Sequence, residues 1–340
     1  MVRTTNNKTV SLLLLMGCML TAGCSHFIHR TTGNVLADHV VQNGIPALMS
    51  SNVGSLAYIT GEADADLFET FTAVGSHTER ISVVMYLLAG FYWEEQANEH
   101  QRRYLRAMYT ANAAEAQDER IAERNAWKEA TLRWLLSYQY MVRGFGEIGE
   151  KCPVLRNESD QLLFLFGLIS GVEALLGTVA SMHQVDVPMS AAAKSARAAN
   201  CLDNDKWWGL PKTIQGAIWT VVPGSAPKGG DGWQAMAQGV QQGTQAGVHL
   251  GYVLQALMAD NANKTELVRA SIKGFADAQR QHPSPPNLRL MDSISEKKIQ
   301  ILSDRIWLEA TGHRTPIGGL GTFPNQGEPQ VDTKLEQLIP

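Results

Sequence analysis

Helical periodicity constrains the fold of this chain more than any other feature. Apolar residues recur at three- and four-residue spacing through most of the sequence, as Ile81, Val84, Met85, Leu88 and Tyr92 do, and this spacing marks one face of a helix. No segment of useful length alternates apolar and polar residues as a half-buried strand does. The sequence therefore predicts an all-α fold of about 11–13 helices, with consecutive helices paired antiparallel as in helical repeat stacks.

Turn and cap residues divide this pattern into separate helices. Asn43-Gly44 and Thr60-Gly61 are typical helix ends, and Pro46 suits a first helical turn. From such signals we expect helices over residues 34–42, 46–59, 76–96, 98–116, 118–145, 161–182, 188–202, 207–221, 265–281 and 288–310, with a further short one opening at Asp64.

One predicted helix, Gln161 to Met182, is apolar on all sides and carries a single charge, Glu173. It is long enough to span a bilayer. Its central acid and its acidic flanks, Asp160 and Asp186, disfavour a membrane span. We therefore expect it to be the buried axis of the helical body. Since an unpaired buried carboxylate is costly, Glu173 needs a partner or a wet cavity and is a candidate for lining an internal cleft.

The first 24 residues form a secretory signal. Arg3 and Lys8 provide a basic start, an uncharged apolar run covers 10–19, and Leu20-Thr21-Ala22-Gly23-Cys24 closes the segment. This ending resembles a bacterial lipoprotein signal, in which the cysteine thiol is acylated and becomes the first residue of the mature chain. We expect lipidation at Cys24. The alternatives are lipidation at Cys18, an ordinary signal peptide cut nearby and an uncleaved anchor helix.

The resemblance to a lipoprotein signal also implies a cellular location, and it fixes where the mature domain begins. Ser25, in place of Asp, implies sorting to the periplasmic face of the outer membrane. We expect a signal peptide over 1–23, a tether over 24–33, a helical domain over 34–311 and an irregular tail over 312–340. His26 and His29 in the tether lack the further ligands that a metal site needs, and no cofactor is indicated.

The charge balance argues against a nucleic-acid partner. The chain has 29 basic and 33 acidic residues. Loss of Arg3 and Lys8 with the signal leaves 27 basic residues, and 27 − 33 gives a net charge of −6. A nucleic-acid-binding surface needs a basic patch. An acidic body also adheres poorly to anionic lipid, so we expect membrane contact through the acyl chains.

Two cysteines remain in the mature body, Cys152 and Cys201. In an oxidising compartment they could form a disulfide. Because a free cysteine behaves as a small apolar residue, two separate buried thiols are the alternative. A bridge requires Cα atoms within about 7 Å, which a sequence does not show.

Glycines mark two further regions. Residues 224–232 are loop-like, but they lack the strand and the Gly-Lys-Ser/Thr ending of a phosphate loop. The turn of Lys228, Gly229, Gly230 and Asp231 is a candidate interaction surface. Trp207 and Trp208 are further candidates for it, and the alternative for these two residues is packing in the core. Glycines four apart at 239, 243, 247 and 251 would weaken one long helix, which favours a break between 242 and 247 over a continuous helix.

Motifs of catalysis are absent from the sequence. It has no HExxH, GxSxG or zinc-type cysteine spacing. Glu173, His183 and His249 are the groups that a hydrolase of cell-wall or lipid material could use, provided that they converge in one pocket. We expect a protein that is not an enzyme.

Several motifs in order resemble the T-component family of TRAP transporters. They are the lipoprotein signal, Gly44-Ile45-Pro46-Ala47-Leu48, Arg102-Arg103-Tyr104-Leu105-Arg106-Ala107, Lys228-Gly229-Gly230-Asp231 and Leu288-Arg289-Leu290-Met291-Asp292-Ser293-Ile294. The resemblance implies TPR-like helix pairs, a homotrimer and docking of a periplasmic substrate-binding protein that helps deliver solute to a permease. A helical scaffolding lipoprotein of another envelope or secretion complex is the alternative.

Overall fold

A computed structural model describes residues 26–324 of the chain. Its helices are α1 (26–39), α2 (Ile45–Met49), α3 (Gly54–Ala73), α4 (Glu79–Tyr109), α5 (Ala113–Phe145), α6 (Glu158–Ala180), α7 (Met189–Ala198), α8 (Leu210–Val221), α9 (Gly232–Gln245), α10 (Leu250–Asn261), α11 (Thr265–Gln281) and α12 (Arg289–Thr311). A π-helical turn, Val40–Gly44, joins α1 to α2, and short 3-10 turns precede α8 and α12. No strand occurs in these residues, which confirms the all-α prediction.

Helices that are neighbours in sequence pack together. The main contacts join α3 to α4, α4 to α5, α5 to α6, α8 to α9 and α10 to α11. The last helix, α12, returns to pack on α4 and α10. The body is therefore a stack of helix hairpins in which α12 closes the cleft described below.

The central helix of the stack is α6. It is the one described helix that is long and apolar enough to cross a membrane by length and composition, yet 83% of its most apolar window is buried inside the protein. It contacts α4, α5, α7 and α8. A helix apolar on all sides is buried when other helices surround it, so α6 is the core axis that the sequence predicts.

Two predicted helix ends are wrong because the residues in question serve helix packing. Helix α3 continues through Gly61, where an added Cβ would lie 2.4 Å from the Leu88 Cβ. Helix α4 continues through Ala97 and Asn98, both buried. The next helix, α5, starts at Ala113 and continues through the predicted boundary at 116–118; the side chain of its N-cap residue, Asn112, accepts a hydrogen bond from the Glu115 amide.

Other boundaries follow local backbone geometry. The predicted helix over 46–59 is divided, since α2 ends at Met49 and α3 starts at Gly54. Trp208 and Gly209 have positive φ values of 55° and 74°, so α8 starts after them and not at Trp207. Between α9 and α10, Gly247 has a φ of +69°, and the glycine-rich region is two helices.

The first and last described segments pack on the helical body. Residues 26–33, expected as a tether, are helical, which moves the start of the helical domain. Ser76 Oγ donates to the Arg30 carbonyl at 3.0 Å, and the His77 amide donates to Asn34. At the other end, Trp307 Nε1 donates to the Thr322 carbonyl, and Phe323 is buried. The signal peptide, Cys24 and residues 325–340 lie outside the described residues.

Candidate functional site

Glu173 lies in a buried ion cluster at the junction of α4, α6 and α12. Lys298 Nζ on α12 is 2.9 Å from Glu173 Oε1 on α6 and 2.7 Å from a carboxylate oxygen of Glu94 on α4. All three residues are at least nine-tenths buried. Below, "the buried ion cluster" means Glu94, Glu173 and Lys298. One ammonium serves two carboxylates, so the fully ionised cluster carries one net negative charge.

Aromatic rings enclose the ammonium of this cluster. Lys298 Nζ lies 4.6 Å from the centroid of the Phe91 ring and 5.6 Å from that of Trp134. Trp134 has room because it packs on Gly90, where a Cβ would lie 2.1 Å from the indole nitrogen. Desolvated contacts between a cation and aromatic faces contribute about 2 kcal/mol or more. The rings thus offset part of the cost of burying Lys298.

Burial and pairing act in opposite directions on the cluster's proton affinities. Burial, together with the charges of Glu173 and Glu95, raises the pKa of Glu94 to about 7 against the lowering effect of Lys298. Burial alone would lower the pKa of Lys298, but its two carboxylate partners raise it above the usual value. Lys298 therefore stays charged, and the pKa of Glu94 lies close to neutral pH.

Two cavities lie on either side of the cluster. One has a volume of about 340 Å³ and the other about 280 Å³. Glu94, Asn98, Lys298 and Ile301 line both. The buried ion cluster is therefore the partition between two neighbouring cavities in one cleft.

The first cavity has a polar mouth. Lys297 pairs with Glu95 at 2.9 Å, while Arg102 and Arg314 both approach Glu99. Tyr58 forms part of the wall. Burial and then the nearby carboxylates raise its pKa well above the usual range, so the Tyr58 hydroxyl keeps its proton and can donate a hydrogen bond.

The second cavity is more apolar. Trp127, Leu176, Leu257 and Leu302 contribute to its wall, and Glu173 lines it. Its wall also contains charged side chains, among them Arg120, Glu123 and Arg305. The cleft predicted around Glu173 is thus present, and the buried ion cluster supplies part of its charge.

The histidines considered for catalysis do not join Glu173. His249 is buried elsewhere, with Nδ1 2.6 Å from Asp292 Oδ1. His183 is exposed in the turn after α6, with a φ of 59°. Neither lines either cavity. In the described part of the chain, no group of three or more His, Cys, Asp or Glu residues could hold a metal ion.

The other predicted site residues have separate surroundings. Cys152 and Cys201 form a disulfide, with 5.3 Å between their Cα atoms, which is within the usual range. The bond joins the α5–α6 connection to the turn after α7. Both cysteines are therefore structural in this fold and lie apart from the cleft.

Of the proposed interaction residues, Trp207 belongs to the core. It is buried and donates from Nε1 to Gln161. Trp208 is half-buried and packs edge-on against it. The turn of Lys228, Gly229, Gly230 and Asp231 is exposed, and Asp231 caps α9 by accepting from two backbone amides. The turn remains available for contact, whereas Trp207 does not.

Sequence reasoning missed Lys298 as a member of the site. Glu94 and Glu95 pair with Lys298 and Lys297 on α12, whereas Glu99 pairs with arginines close to it in sequence. A signal was present, because Lys298 follows Ile294 by four residues and precedes Leu302 by four. A charge within an apolar helical stripe predicts a buried pair.

Searches against protein-family models, curated proteins and solved structures find no match to this chain.

Proposed function

We propose that this protein is a lipid-anchored periplasmic partner protein of a TRAP-type solute uptake system. In this role it docks a periplasmic substrate-binding protein and catalyses no reaction. Cys24 carries the lipid, and the body stands on the periplasmic face of the outer membrane. Association into a homotrimer belongs to the same proposal, by resemblance to the T-component family.

The observation that supports the periplasmic location in this proposal is the Cys152–Cys201 disulfide. Disulfides persist in oxidising compartments such as the bacterial periplasm and are rare in the cytosol. The N-terminal signal sequence directs the chain to that same compartment. Two independent parts of the sequence thus support one location.

The fold supports a role in contact with other proteins. Stacks of helix hairpins offer extended surfaces for partners. The cleft between α4, α6 and α12 adds two cavities of about 340 and 280 Å³, and the larger one lies at the lower end of the size range of small-molecule sites. We place transient holding of the solute there, during delivery from the binding protein.

Co-purification tests the proposal. The lipidated, folded protein is isolated from membranes in mild detergent and examined for a substrate-binding protein encoded nearby. The proposal predicts that this protein co-purifies in a defined ratio. Recovery of secretion or assembly proteins instead would favour the alternative of a scaffold. Absence of the binding protein from a lipidated, folded preparation would refute the docking role.

A further inference from the structure

Helix α3 packs on α4, with α1 against its C-terminal end, and presents an apolar face to solvent. Its inner face packs on α4 through buried residues that include Ala57, Tyr58, Ala65 and Phe68. A surface helix normally has a polar outer face, because that face lies in water. The outer face of α3 departs from this rule.

Four residues form the exposed stripe: Leu56, Ile59, Ala63 and Leu67. The three large side chains are 59%, 55% and 47% exposed. Spacings of three, four and four residues place them on one side of the helix. From Leu56 to Leu67 the stripe is about 16 Å long, at the usual rise per residue. Apolar residues at this spacing form the seam along which two helices pack.

The charges beside this stripe are of one sign. Helix α3 contains Glu62, Asp64, Asp66 and Glu69 and no lysine or arginine. At the helical angle of 3.6 residues per turn, Asp64 lies on one edge of the stripe and Asp66 on the other. Neither forms a salt bridge within the described residues, and Asp66 Oδ1 accepts a hydrogen bond from Tyr86 Oη at 3.4 Å. The face is therefore an apolar seam with acidic borders.

The acidic borders discriminate between occupants. A second copy docked about a two-fold axis would bring α3 against α3 and oppose like charges, and a copy docked head-to-tail, as in a homotrimer, would have to present a basic helix face to this stripe. An anionic lipid surface is disfavoured for the same reason. A helix with apolar residues at matching spacing and lysine or arginine beside them has complementary shape and charge.

We propose that the stripe of Leu56, Ile59, Ala63 and Leu67 is the docking face for a partner-protein helix with apolar residues bordered by Lys or Arg. This inference rests on the proposed function and assigns the surface of α3 to its protein contact. A single seam of this length favours a transient complex, because small interfaces are typical of weak encounters.

A photoreactive amino acid tests the identity of the occupant. It replaces Ile59 in the full-length lipidated protein in cells, and in a control it replaces Ile121, an isolated exposed residue on α5. Cross-linked peptides are sequenced by mass spectrometry. We expect cross-links from position 59 to a helix with at least two Lys or Arg within about one turn of the linked residue. Links only to another copy, to lipid or to residues 325–340, or equal yield at position 121, would overturn the proposal.

A charge exchange measures the same contact with the co-purified substrate-binding protein as the probe. Asp64→Lys with Asp66→Lys should weaken its binding at least tenfold. The control, Asp118→Lys with Asp186→Lys, makes the same change in net charge at exposed sites and should leave binding unchanged. Equal binding by both variants and the unaltered protein refutes the α3 face and leaves the proposed function standing. Failure of the unaltered protein to bind refutes both.

Discussion

Replacing Lys298 with methionine is the sharpest test of the buried ion cluster. The change keeps an apolar stem of similar length but leaves Glu94 and Glu173 buried without their cation. Removing one partner of a buried ion pair costs about 3–5 kcal/mol. Because this ammonium serves two carboxylates, we expect a loss near the upper end, about 5 kcal/mol, in the free energy of unfolding at pH 8.

The loss should depend on pH. Without Lys298, burial raises the pKa of the Glu94 carboxyl further, so acid neutralises it in the folded state. The destabilisation is then fully present above this raised pKa and shrinks as the pH falls through it. Urea unfolding followed by tryptophan fluorescence, at pH 8 and at pH 5, measures the difference between variant and unaltered protein.

Lys297 provides the matched control. It is the neighbouring residue on α12, but it is 35% exposed and pairs with the similarly exposed Glu95. Exposed pairs contribute about 0–1 kcal/mol, so Lys297→Met should change little. The reasoning would be refuted if Lys298→Met cost less than about 1 kcal/mol at pH 8, as expected for an exposed pair, or if its cost were the same at both pH values.

Three further perturbations test separate parts of the structure. Glu94 has a pKa of about 7 against a usual 4.5, so its contribution to the free energy of unfolding falls as the pH rises between these values. Glu94→Gln should flatten that fall and raise the free energy of unfolding at pH 8 by about 3 kcal/mol at most. Urea titrations across pH 4–8 measure both effects. Replacing Cys152 and Cys201 with alanine should lower the unfolding free energy by about 2–4 kcal/mol; an equal urea midpoint in the unaltered protein with and without reductant would argue against the bond. Gly90→Ala places a Cβ 2.1 Å from the Trp134 indole nitrogen and should lower the free energy of unfolding by about 1–3 kcal/mol or more, as measured by thermal unfolding. Gly144→Ala is the control, because the nearest atoms to its added Cβ lie at 3.4 Å, and it should be neutral or slightly stabilising.

Helix periodicity predicts the all-α class and the buried position of α6 because both follow from local apolar spacing. The same local reasoning fails at Gly61, which it treats as a helix end. The glycine instead lets α3 approach α4, with a Cβ position only 2.4 Å from the Leu88 Cβ. The approach of two helices is a tertiary fact, and a glycine's role in it has no local sequence signature.

In the candidate site, too, local sequence predicts one part and only the tertiary contacts show the rest. The sequence predicts that Glu173 needs a partner, since burial of a lone charge is costly. It does not identify Lys298, which is 125 residues away. The two became neighbours because α12 returns across the stack to α4, and long-range pairing of this kind follows from topology. The apolar outer stripe of α3 likewise emerges only once it is known which face of the helix packs on α4.

The central claim is that the helical body works outside the inner membrane on a lipid attached at Cys24. Metabolic labelling with radiolabelled palmitate, compared between the unaltered protein and Cys24→Ser, tests it most directly. The account predicts label on the unaltered protein and none on the variant. An unlabelled native protein, or equal labelling of the two, would contradict it.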